Sequence, residues 1–237
     1  MTTSGTYSYS VNRDQVIAAA LRTLGVIDKQ GTPDAIDLQN GSEALNLILK
    51  QVADLGAPLW CIQWLTIPLV TNKNEYTIGP GMDVDIPYRP TRMTSGYVRN
   101  IPGNSDREVA FISRTDYERL SGKDFQSNVD QLYYDAQLPA PILYTYGKPT
   151  NDDYVLKVSV QRPVQDVTSG SQTFDIPQEW YLPLKWRLAE ELCLEYGVEP
   201  TIWDRIAAKA KAYMDKAMDW QEEEVSMIFS ANNMDYR

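Results

Sequence analysis

Helical periodicity occupies both ends of this chain and strand-like periodicity occupies its middle, and that order restricts the fold more than composition does. Val16, Ile17, Ala20, Leu21 and Leu24 recur at helical spacing, and so do Leu38, Leu45, Ile48, Leu49, Val52 and Leu55. Toward the other end Leu184, Leu188, Leu192 and Tyr196 make a third stripe. Trp203, Ile206, Ala207, Ala210, Tyr213, Met214 and Ala217 make a fourth. Helices from opposite ends of a chain bury their apolar stripes by packing on one another, so the residues between them must loop out as an insertion. The expected class is α+β: an antiparallel helical bundle carrying a large inserted antiparallel β-barrel or sandwich-like domain.

Local signals set the boundaries. Residues 1–11 carry no helical period and read as an extended arm of the kind that packs on a neighbour. Asn12 followed by Gln15 predicts a capping box, and Gly25 suits the stop of the first helix. Thr32-Pro33 predicts an N-cap and a first helical proline for the second helix. Gly41 costs that helix about 1 kcal/mol against alanine and moves its expected start toward Ser42. The bundle is therefore expected over 12–58 and 177–222, the β-rich domain over 59–176 and a docking tail over 223–237. Strands are expected at 61–70, 75–78, 95–101, 108–112, 131–134, 142–146 and 154–161, with a short helix at 115–120. The pair 144–146 and 154–160, separated by Gly147-Lys148-Pro149, is expected to form a hairpin. Pro183 restarts or kinks the third long helix, Gly197 stops it, and Pro200 starts the fourth.

The formal charge is −10, from 22 basic and 32 acidic residues, which opposes tight wrapping of nucleic acid through its phosphates. The middle is locally basic, with six Arg against four acids over 86–120, whereas 175–237 holds seven basic residues against thirteen acidic ones. No apolar run reaches the roughly 20 residues of a membrane span, and the first residues lack a signal-peptide pattern, so a soluble protein made in the cytoplasm is expected. Cys61 and Cys193 are expected to be buried, reduced thiols.

The chain contains no histidine, which removes the commonest general base and the commonest zinc ligand. Gly79-Pro80-Gly81 reads as a turn, because proline cannot supply the N–H donors of a phosphate cradle. Asp83, Asp85, Asp152, Asp153 and Glu179 leave a carboxylate-only glycan hydrolase open as an alternative, and loop acids otherwise serve as solvated turn residues. Glu222 to Glu224 lacks the alternating oxygen ligands of a calcium loop. The six tryptophans sit at helix entries and on helical stripes, where they read as packing and interface residues more than as a sugar platform. The expectation is a protein with no enzymatic activity, no cofactor and no metal.

The constellation resembles the head-to-tail adaptor proteins of short-tailed bacteriophages, the tail tubular protein A and head-completion family. The resemblance is carried by Ala19 to Val26, Ala44 to Lys50, Gly56, Trp60, the stretch from Leu69 to Ile78 with Tyr76, and Ile176 to Trp180 leading into Leu188 to Leu192 and Tyr196-Gly197. It implies a virion protein at the head-tail junction: a ring, expected to hold twelve copies, docked on the portal protein and joined below to the tail nozzle, with tail fibres as a further contact. Double-stranded DNA would pass through its channel without sequence-specific binding, aided by repulsion from twelve times −10, or about −120, formal charges. Arg89, Arg92 and Arg107 are the expected nozzle contacts. Met227, Ile228, Phe229 and Tyr236 are the expected portal or neighbour contacts. A neck protein of a long-tailed phage is a second alternative.

Overall fold

The computed structural model of the 237-residue chain describes residues 5–54 and 58–219. Helix α1 spans Arg13–Leu24 behind the expected capping box: Gln15 N–H donates to the Asn12 side chain at 2.9 Å, and Asn12 N–H donates back to Gln15 Oε1 at 3.0 Å. Gly25 closes it in the left-handed region, at φ 77°. Helix α2 spans Ala35–Asp54, earlier than a start at Ser42. Its cap is Asp34 in place of Thr32: Asp37 N–H donates to Asp34 Oδ1 at 2.8 Å, and Asp34 N–H reaches back to Asp37 Oδ2. Pro33 therefore lies just outside the helix.

Gly41 is tolerated inside α2 because α1 crosses there. A Cβ on residue 41 would stand 2.7 Å from Ile17 Cγ2, closer than two carbons can approach. The propensity lost to glycine is thus offset by helix contact. Gly41→Ala is expected to destabilise the protein by about 1–3 kcal/mol despite its better helix propensity. Ile17→Ala empties a fully buried site and is costly by itself. In a double-mutant cycle followed by chemical denaturation the two losses should therefore be less than additive, and a Gly41→Ala variant more stable than the parent would contradict the crossing.

A 3₁₀ turn, Leu59–Cys61, leads into the strands. These are β1 Ile62–Pro68, β2 Glu75–Thr77, β3 Arg92–Asn100, β4 Ser105–Glu108, β5 Ala110–Phe111, β6 Gln131–Asp135, β7 Ile142–Tyr146 and β8 Tyr154–Gln161, with the short helix α3 Arg114–Arg119 between β5 and β6. They form two four-stranded sheets, ordered β1-β8-β3-β4 and β2-β7-β6-β5, and not a closed barrel. Leu65, Ile67, Val98, Leu156, Val158 and Val160 of the first sheet share one buried cluster with Tyr76, Leu132 and Leu143 of the second. Alternation in β7 puts Leu143 and Thr145 inward and Ile142, Tyr144 and Tyr146 toward the other face.

Two pairings depart from the sequence reading. β7 and β8 are not a hairpin: β7 pairs with β2 and β6, β8 pairs with β1 and β3, and the turn at Gly147 carries the chain from one sheet to the other. Nor is the β-rich part wholly antiparallel, because β5 runs parallel to β6 after a crossover through α3.

After β8 the segment 163–176 returns to the helices. Asn46 clamps it by donating to Val167 O at 3.1 Å and accepting from Val167 N–H at 3.0 Å, and Lys50 Nζ donates to Val164 O at 2.8 Å. Val164, Val167, Phe174 and Ile176 are buried with the helical residues, so in packing terms this stretch sides with the helices although it lies inside the expected insertion. A second 3₁₀ turn, Gln178–Trp180, enters α4, Tyr181–Leu192. Pro183 falls in the first turn of α4, where its missing N–H would have no helical partner, so it neither restarts nor kinks the helix. Gly197, at φ 61°, ends the following turn, and α5 spans Pro200–Asp219. Among the described helices α4 is the hub, packing on α5, α1 and α2, while α5 has little contact with α1 or α2.

Candidate interaction surfaces

Three of the five loop carboxylates hold turns. Asp83 accepts from the Lys73 ammonium and from the N–H and hydroxyl of Thr77, and those bonds, the Lys73 bond foremost, keep its pKa below the ordinary value. Asp152 is held low by the Thr71 hydroxyl and N–H. Asp85 accepts from Gly81 N–H. A glycosidase acid needs its pKa raised, and both shifts here run the other way. Burial pushes the Cys61 thiol up to about 11, against a smaller pull from Arg162, and burial also raises Cys193, whose thiol donates to Ala189 O. Such thiols are poor nucleophiles at neutral pH. Among the described residues no group of three or more Cys, Asp or Glu is placed to hold a metal ion.

The junction between strands and helices is polar and braced. Arg162, just past β8, makes a two-pronged pair with Asp175, whose Oδ2 also accepts from Gln165 N–H. Their side chains are only 13% and 24% exposed. The guanidinium lies 6.0 Å from the Trp60 ring, and Trp60 meets Trp180 edge-on at 6.3 Å. Arg162 N–H also donates to Cys61 O, so the start of β1 and the end of β8 are tied at the point where they leave the helices.

A groove runs over α4 between α1 and α5. It consists of two clefts of about 440 and 330 Å³ that share Leu182, itself 45% exposed. Tyr9 packs edge-on to Tyr181 at 6.5 Å on one side, and Trp186 stacks on Tyr213 at 6.2 Å on the other. The ammonium groups of Lys185 and Lys209 stand 4.8 and 4.7 Å from the Trp186 ring. Burial, then the positive charges of Arg22 and Lys209, press the Lys185 pKa below that of an ordinary lysine. Among the described residues no carboxylate forms an ion pair with Arg22, Lys185, Lys209 or Lys216. Counting charge by segment hid this face, because 175–219 is acidic as a stretch. Its signal was the spacing of Lys209, Tyr213 and Lys216, which shares one side of a helix.

A protein-family model, SU10 adaptor protein, matches residues 11–233, nearly the whole chain. The chain belongs to this adaptor family. It is therefore a phage adaptor protein, a structural component of the virion. The match continues past the last described residue of α5, so residues 220–233 are part of the family pattern. No curated protein matches the chain. No helix among the described residues is long and apolar enough to cross a membrane.

The three arginines expected at the adaptor's tail-facing contact are not gathered into one patch. Arg92 opens β3 opposite Gln161, at the end of the sheet next to the helices, and its side chain is exposed. Arg89 lies nearby and donates to Ala136 O at 2.9 Å. Arg107 pairs with Val98, six residues along β3 from Arg92, which is roughly 20 Å of strand. It donates to Val129 O at 3.1 Å and lies 3.2 Å from Asp130, so it ties β4 to the start of β6. The end of the sheet farthest from the helices carries Val70 and Ile101, which are 47% and 57% exposed. Met227, Ile228, Phe229 and Tyr236 of the adaptor lie outside the described residues.

Proposed function

We propose that this chain is the repeating subunit of an adaptor ring that joins the capsid portal to the tail nozzle of a short-tailed phage, as tail tubular protein A does, and that it lines the DNA channel. The family match over residues 11–233 carries this reading. In it the four long helices form the ring-building bundle over 12–58 and 177–222, and the β-rich insertion 59–176 points toward the tail. Twelve copies assemble, and each contributes its net −10 to a wall that repels phosphate. The subunit has a mechanical role in genome retention and ejection and no catalytic one, in keeping with its lack of histidine and its inert thiols. Tail components meet the far turns of the insertion around Val70 and Ile101, with Arg107 closer to them than Arg89 or Arg92. The C-terminal residues Met227, Ile228, Phe229 and Tyr236 serve docking. The expected result is a ring of twelve in native mass spectrometry of the chain with its portal. A chain that stays monomeric and fails to bind portal would overturn the reading, as would glycan turnover abolished by Asp→Asn at one of the loop acids.

A further inference from the structure

The basic groove over α4 has an occupant written in the chain itself. Residues 220–237 follow α5, and the last turns of α5 line one of the two clefts through Tyr213, Lys216 and Ala217. The segment begins Trp-Gln-Glu-Glu-Glu-Val-Ser-Met-Ile-Phe: three consecutive carboxylates, then four apolar residues within five. The groove offers matching chemistry: Arg22 and Lys185 line one cleft with Tyr181 and Leu182, Tyr213 lines the other, and Lys209 stands over the Trp186 ring that stacks on Tyr213. Among the described residues Glu179 is the one acid lining it.

Resting on the ring reading above, we propose that this groove receives residues 220–229 of a second copy of the chain, with Glu222 to Glu224 against Arg22, Lys185 and Lys209 and with Val225, Met227, Ile228 and Phe229 against Leu182 and its aromatic neighbours. The choice of a second copy follows from the sequence. To enter its own groove the chain would have to reverse direction directly after Asp219, and from Trp220 to Val225 it has no Gly, Pro, Asn, Asp or Ser to make that turn. A contact between the C-terminal segment of one copy and the α1–α4–α5 face of the next is heterologous, the kind that closes into rings. The charge match also lets strongly acidic subunits approach, because each copy offers three carboxylates to a face that carries Arg22, Lys185 and Lys209.

Charge reversal tests it. The groove variant carries Lys185→Glu and Lys209→Glu; the segment variant carries Glu222→Lys, Glu223→Lys and Glu224→Lys. Self-association of the full chain, followed by sedimentation, should weaken at least about tenfold in either variant. Unchanged thermal melting would show that each still folds, and the milder Lys185→Gln with Lys209→Gln should lose less. Mixing the two variants should restore association, since each then supplies what the other lacks. Reversals that leave association intact would overturn the inference while the ring reading stands. Rescue within one doubly reversed chain, without rescue on mixing, would overturn it by placing the segment on its own helices. A parent chain that never self-associates, with or without portal, would overturn both.

Discussion

Substituting Leu188 by Asp is expected to unfold the helical part of this adaptor. Leu188 is fully buried at the centre of α4, the helix on which α1, α2 and α5 all pack. Truncating a leucine in such a place to alanine removes about 2–5 kcal/mol. A carboxylate adds the cost of burial without a partner, or of taking up a proton to avoid it. Against a typical total of about 5–15 kcal/mol, little or nothing remains. The damage should be uneven. The buried residues of the strands form a cluster of their own, and Leu188 is not among them. Amide exchange should therefore show α1 and α4 unprotected while the paired amides of β3 and β8 keep protection. A variant with unchanged melting temperature would contradict the packing described for α4.

Signals that act over a few residues were legible. The Asn12–Gln15 box, the left-handed Gly25 and Gly197, and most of the short strands each depend on groups within about a turn or a strand, and sequence displays those groups side by side. β4 was not among the expected strands, since the expected 108–112 takes in only its last residue and β5. The cap of α2 was misplaced by two residues because Thr32, Asp34 and Asp37 all offer capping oxygens, and the Asp34–Asp37 exchange wins locally. What failed was partner choice. Gly147-Lys148-Pro149 looks like a hairpin turn, yet β7 and β8 each find better cover in different sheets, and nothing local encodes that. The parallel β5–β6 pair and the return of 163–176 to the helices likewise depend on contacts far apart in sequence, such as Asn46 with Val167. Gly41 is the same lesson in reverse: it read as a helix weakness and serves as the place where α1 comes closest.

The basic groove was missed for a related reason. Arg22 belongs to α1, Lys185 to α4 and Lys209 to α5, and only the fold brings them to one face. Net charge over a stretch averages the two sides of a helix, whereas a partner meets one side at a time. The three arginines expected to act together are divided by the same logic: Arg89 and Arg92 stay at the start of β3, whereas Arg107, on β4, is paired near the other end of β3.

Removing Asp175 should cost about 3 kcal/mol, more than any other single ion-pair partner here. Most ion pairs among the described residues have a solvated partner, and pairs of that kind contribute about 0–1 kcal/mol. Arg162 differs, with a side chain 13% exposed, packed by Trp60, and held by both oxygens of one carboxylate. Asp175→Ala leaves that guanidinium buried and unpaired, the situation in which losing one partner is severe. For a chain of this size the melting temperature should fall by roughly 6–12 °C. The reverse design separates charge from packing. Arg162→Leu combined with Asp175→Leu removes the desolvated pair and leaves apolar volume, so it should recover most of the stability. That variant would still lack the bond from Gln165 N–H to Asp175 and the guanidinium over Trp60, which fix how β8 leaves the helices. Its stability should then be near that of the parent, and if the proposed ring forms, its assembly should weaken, because such a ring needs every insertion set at the same angle. Equal melting of the parent and Asp175→Ala would instead mean that the pair is solvated and that the junction is held by Trp60, Trp180 and the bond from Arg162 N–H to Cys61 O.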